Sequence, residues 1–170
     1  MTPRFARKRD GHLDLTLDAA EAELIRALPA QLLELYEGDR ADPARQRLFP
    51  RAYLDPTEEE AESQWEDLVH PDLLAGRLAA LQQLSASLDG ADPARRDRVV
   101  VHIGADDVNA WLGVLNDARL ALGARLGVTE ETDLARLDPH DPESAPKAAY
   151  AWLTYLQGEL VETLLGDLPG

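Results

Sequence analysis

Leu13, Leu15 and Leu17 alternate with His12, Asp14 and Thr16, so a strand over 12–17 carries leucines on one face and polar side chains on the other. Residues 4–9 precede it. The Asp10-Gly11 pair between them suits the positive φ angles of a type I′ hairpin turn. Three consecutive valines mark 98–103 as a third strand, expected to join the hairpin because two strands alone are marginal in water.

From Asp18 onward the apolar period becomes helical. Asp18 is placed as the N-cap of a first helix reaching about Glu37, with Leu24, Ile25, Leu28, Leu32 and Leu35 as its stripe and Pro29 as a kink or break. Residues 38–55 form a turn-rich connector holding one short helical turn around 44–48. Asp55 and Glu58 make a capping-box pattern with Pro56 at the first helical position, which predicts a second helix to about Leu68. His70-Pro71 then reads as a boundary, with a third helix over 71–88 packed antiparallel to the second. A fourth helix is expected from about Ala105 to Leu126 and a short one over 129–137. The last is expected to start at a Ser144 cap and to bury Trp152, Leu153, Leu156, Leu160 and Leu164. The predicted fold is mainly α: a bundle of about five to six helices with a small N-terminal β-hairpin extended by one further strand. It is read as a single domain over 1–170, with a hairpin (1–17), a first helical part (18–97), a strand (98–103) and a second helical part (104–170).

One polar residue violates the pattern. With Val108 at zero on a helical wheel, Leu115, Leu122 and Leu126 fall within about 40° of it, and Arg119 lands at about 20°. A guanidinium on the apolar stripe cannot escape by losing its proton, so it needs a carboxylate, carbonyl acceptors or water. The same arithmetic places Glu62 between Trp65 and Val69 on the second helix, which makes it the candidate partner of Arg119. A buried ion pair is the plainest outcome, snorkelling to water the next, and an anion pocket the third. Asn109 and Asn116 stack two turns apart on the flank of the Arg119 helix, where they either line a polar cleft or satisfy nearby carbonyls. Trp65, Trp111 and Trp152 all fall on apolar stripes and read as core.

Composition narrows the function classes. Among 170 residues, 17 are basic and 32 acidic, for a net charge of −15, and cysteine is absent. Such a chain repels phosphate backbones, so direct nucleic-acid binding is not expected. Arg4, Arg7, Lys8 and Arg9 form a basic N-terminal arm, read as a solvated edge strand. Without cysteine there is no thiol nucleophile, disulfide or iron–sulfur ligation. No apolar run is long enough for a membrane span or a signal segment, and a cytoplasmic location is the expectation. His12, His70, His102 and His140 show no zinc-motif spacing, and the Glu58, Glu59, Glu60 and Glu62 cluster reads as a solvated first helical turn. No phosphate loop, dinucleotide fingerprint or nucleophile elbow is present. No catalytic residue, cofactor or metal is assigned.

The block Val108-Asn109-Ala110-Trp111, continuing through Leu115-Asn116-Asp117-Ala118-Arg119-Leu120-Ala121-Leu122-Gly123, resembles the central signature of an actinobacterial family of unknown function that includes an oxidative-stress transcriptional regulator. Similar segments flank it in the family's order: Arg47-Leu48-Phe49-Pro50 with Tyr53, Ala61-Glu62-Ser63, Ala80-Leu81-Gln82-Gln83-Leu84, and Trp152-Leu153-Thr154-Tyr155-Leu156-Gln157. The resemblance implies a non-enzymatic regulatory or protein-interaction module in the oxidative-stress response and cysteine synthesis, acting through the transcription machinery. An adaptor or accessory factor for a Clp-type proteolysis or sulfur-carrier system is the alternative, since genes of that kind neighbour the family's. A small-anion sensor or enzyme using an Arg119 cleft is a third reading. A homodimer stays open. A thiol sensor does not carry over to a chain without cysteine, and Met1 is the only methionine. The residues where motif and wheel coincide are Glu62, Asn109, Asn116, Asp117 and Arg119.

Overall fold

The computed structural model describes residues 3–166, which leaves Met1 outside it. Four antiparallel strands form one sheet in the order β1-β2-β4-β3: β1 (Phe5–Arg7), β2 (Leu13–Leu17), β3 (Asp92–Ala94) and β4 (Arg98–Ile103). The leucine alternation sets the register. Leu13 faces Ile103 and Leu15 faces Val101, all four buried, while Asp14 faces His102 on the opposite side of the sheet. The hairpin differs from a two-residue type I′ turn. Lys8 N–H donates to His12 O at 2.9 Å across a three-residue loop, in which Gly11 alone takes a positive φ, 89°. The sheet also has a strand not expected from sequence, because Asp92–Ala94 is short and includes Pro93, which an edge position tolerates.

The described residues form five α-helices, of which α1, α3 and α5 pack on the sheet: α1 (Ala19–Tyr36), α2 (Pro43–Leu48), α3 (Glu59–Asp89), α4 (Val108–Leu126) and α5 (Ser144–Leu165). The mainly α architecture with a minor sheet is as expected. Asp18 caps α1 through a full capping box, accepting from Glu21 N–H at 2.9 Å while Glu21 accepts from Asp18 N–H at 2.9 Å. Pro29 sits inside α1 without ending it, because Ile25, Leu28, Leu32 and Leu35 pin both halves to the core. α4 runs through the middle, packed against α1, α2, α3 and α5, with Trp111 fully buried and its indole N–H donating to Ser87 Oγ at 3.3 Å.

The second and third helices are one. α3 continues through His70-Pro71 for 31 residues, about 46 Å, so there is no antiparallel pair. Pro71 removes the donor for the carbonyl of Asp67, and Asp67 is exposed, so the missing bond falls on the solvent side of the helix. In place of the expected capping box, Asp55 Oδ1 accepts from Thr57 N–H at 2.9 Å and from Thr57 Oγ1 at 2.8 Å on a 3-10 turn, and the α-helix starts at Glu59. Residues 129–137 form turns instead of a helix. Thr132 Oγ1 accepts from Thr129 N–H, and Asp133 accepts from Ala135 N–H, local bonds that compete with helix. Ser144 is the first residue of α5 and makes no cap; the preceding Glu143 occupies that position without a side-chain bond.

Candidate functional site

Of the five residues singled out in the sequence, Asn116 and Arg119 come together, while Glu62, Asp117 and Asn109 each have other surroundings; Glu62 and Asp117 are buried. Asp117 Oδ2 accepts from Tyr36 Oη at 2.6 Å and from Arg77 Nε at 3.0 Å, while Arg77 also donates to the Leu48 carbonyl at 3.1 Å. α1, α3 and α4 are thereby joined through one carboxylate, and Arg77 extends the tie to the end of α2. Burial first, and the hydrogen bond to Asp117 second, hold the Tyr36 hydroxyl well above the ordinary phenol range, so it stays a donor. Phe49 has two guanidinium groups over its ring, Arg77 at 4.7 Å and Arg45 at 5.1 Å from the ring centre. Arg45, itself buried, donates to the Tyr36 carbonyl at 3.3 Å. His70 packs on Phe49 as well, with ring centres 4.9 Å apart. Beside Arg45 and His70 the space left is about 20 Å³, which fits one water.

Arg119 has different partners from those expected. Its Nε donates to Gln157 Oε1 at 2.9 Å and a terminal nitrogen donates to Asn116 Oδ1 at 3.2 Å, which Gln157 Nε2 also reaches at 3.3 Å. The half-buried guanidinium is fastened by two amides across the α4–α5 seam instead of by Glu62. Glu62, 4% exposed, accepts from Tyr53 N–H at 2.8 Å and so secures the loop before α3. The wheel located both side chains on apolar faces; it lacked the extra turns of α3 that carry Glu62 away from α4. Asn109 is exposed.

Two surface features complete the picture. Between α1 and α3 an apolar groove of about 450 Å³ is lined by Pro29, Ala30, Leu33, Leu78, Leu81 and Ala86, with Asp89 at its edge. On the solvent face of the sheet, His12, Asp14 and His102 bring their ligand atoms together, a cluster that sequence spacing missed. The signal for it lay in the alternation: His12 and Asp14 share a strand face, and β4 supplies His102 opposite Asp14.

A mainly helical protein with a small sheet, cross-braced by a buried Asp–Arg–Tyr tie and carrying an open apolar groove, is the class these features define. The chain belongs to the DUF2017 family, described as a domain of unknown function, whose model matches residues 1–164. It is similar to proteins named oxidative stress regulator AosR from Mycobacterium tuberculosis and Mycobacterium bovis, each 32% identical over 137 residues. That match covers 74% of this chain and 60% of each relative, so it spans about three fifths of their length. No solved structure matches the chain.

Proposed function

We propose that this chain is a non-enzymatic regulatory module of the oxidative-stress response, working in the cytoplasm by contact with a protein of the transcription machinery. The relatives' name supports the regulatory part of this reading. The α1–α3 groove carries the contact: it is open and apolar, the surface on which the apolar face of an amphipathic helix docks. The net charge of −15 and the Asp89 rim select an occupant with basic residues flanking its apolar anchors. Family-signature residues support the same reading, because Asp117, Asn116 and Arg119 serve in helix-to-helix ties rather than around an open cleft.

Leu33 is 38% exposed and its replacement leaves the core intact. In a host strain lacking the gene, wild type is expected to restore the transcript response to peroxide. Leu33→Arg, folded and with an unchanged melting temperature, is expected to fail. Full response from the folded variant would end the groove assignment, and no effect of wild type on the response would end the regulatory one.

A further inference from the structure

We propose that the exposed face of the sheet holds a divalent transition-metal site of the zinc type, with His12 Nε2, Asp14 Oδ1 and His102 Nδ1 as its ligands. Both imidazoles converge on one carboxylate oxygen: His102 Nδ1 lies 2.7 Å and His12 Nε2 3.3 Å from Asp14 Oδ1. Ligand atoms around a tetrahedral ion at about 2.0 Å stand roughly 3.3 Å apart, so an ion enters with small side-chain shifts.

The outer nitrogens make the cluster more than a chance meeting of polar groups. His12 Nδ1 is hydrogen-bonded to Asp10, and His102 Nε2 lies 2.8 Å from Asp92 Oδ2. Each imidazole is thus backed by a carboxylate on the nitrogen facing away from the cluster. That arrangement fixes the ring, keeps the outer proton, and turns the inner lone pair toward the metal position. Lys8 Nζ approaches the other oxygen of Asp14, Oδ2, at 3.2 Å, which leaves Oδ1 for the ion.

The fold supplies the rigidity. Asp14 and His102 are register partners on the two inner strands, and the Lys8–His12 bond closing the hairpin sets His12 two residues before Asp14. Side chains on this face are reachable from solvent, with His102 42% and His12 31% exposed. Three protein ligands leave one position open for water or for a side chain from a bound partner. Two nitrogen donors select zinc-like ions over calcium and magnesium, which take oxygen ligands.

Zinc chloride titrated into the full chain at neutral pH, in competition with a chromophoric chelator, tests the site. One ion per chain at micromolar zinc is expected, with ring-nitrogen NMR shifts at His12 and His102 but not at His70 or His140. His12→Ala, His102→Ala and Asp14→Asn are each expected to weaken binding by about tenfold or more, and Asp92→Asn by a smaller factor, with unchanged circular dichroism. Absence of saturable binding would overturn the proposal, as would equal affinity for magnesium or undiminished affinity in a folded His12→Ala/His102→Ala double variant. The site is separate from the α1–α3 groove, so loss of either assignment leaves the other standing.

Discussion

Asp117 and Arg119 sit two residues apart on α4, yet their surroundings assign them different weights. Removing the Asp117 carboxylate strands the Arg77 guanidinium and the buried Tyr36 hydroxyl together, and breaking such a pair costs roughly 3 kcal/mol. Arg119 bonds only to neutral amides that can turn to each other or to water, so Arg119→Ala is expected to cost about 1 kcal/mol. Urea denaturation of the two variants measures the difference, and equal losses would show that the Asp117 tie is not the stronger brace. His70 supplies a pH signature. Burial, and then the charges of Arg45 and Arg40, hold its pKa below the ordinary 6.5. The folded state therefore prefers the neutral ring: its contribution is intact above 6.5 and declines as pH falls from there through the folded-state value. An NMR titration is expected to place the His70 midpoint below 6.5, and Arg45→Gln is expected to raise it.

At the scale of elements, the α4–α5 seam depends on a glycine. A Cβ at Gly123 would lie 2.9 Å from Tyr150 Cε2, so Gly123→Ala forces the ring or the helix to move. At Gly113, on the same helix, a Cβ meets nothing within 4 Å. Gly113→Ala is expected to gain up to about 1 kcal/mol from lower unfolded-state entropy and better helix propensity. Gly123→Ala is expected to lower the melting temperature despite the same propensity gain, and calorimetry of the two variants separates packing from propensity. The element boundaries teach a related lesson. Asp18 was legible as a cap because its partner Glu21 is three residues away, within reach of local rules. Pro71 misled because its cost depends on whether the orphaned carbonyl sees water, which only the packed helix decides.

For the whole molecule, charge governs what can approach. Within the basic arm, Arg4 pairs with Glu21 at 2.6 Å and Lys8 with Asp14 at 3.2 Å. With a net charge of −15, counterion release offers little gain on duplex DNA. A gel-shift assay at physiological salt is expected to show no sequence-specific retention by the chain alone; a specific shift that survives added salt would contradict this. No described helix is long and apolar enough to cross a membrane.

The sequence alone determined the mainly helical class, the hairpin and its neighbour β4, the faces that turn inward and the acidic surface, because those follow from periodicities of two and 3.6 and from counting charges. It also pointed to polar residues on greasy faces. Tertiary structure decided their partners: Asp117 with Arg77 and Tyr36, Arg119 with Gln157 and Asn116, and Glu62 with the Tyr53 backbone. It decided the meeting of His12, Asp14 and His102 as well. The hydrogen bonds among them join residues up to 88 positions apart, and their identity rests on helix length and strand register, which no local pattern of side chains encodes.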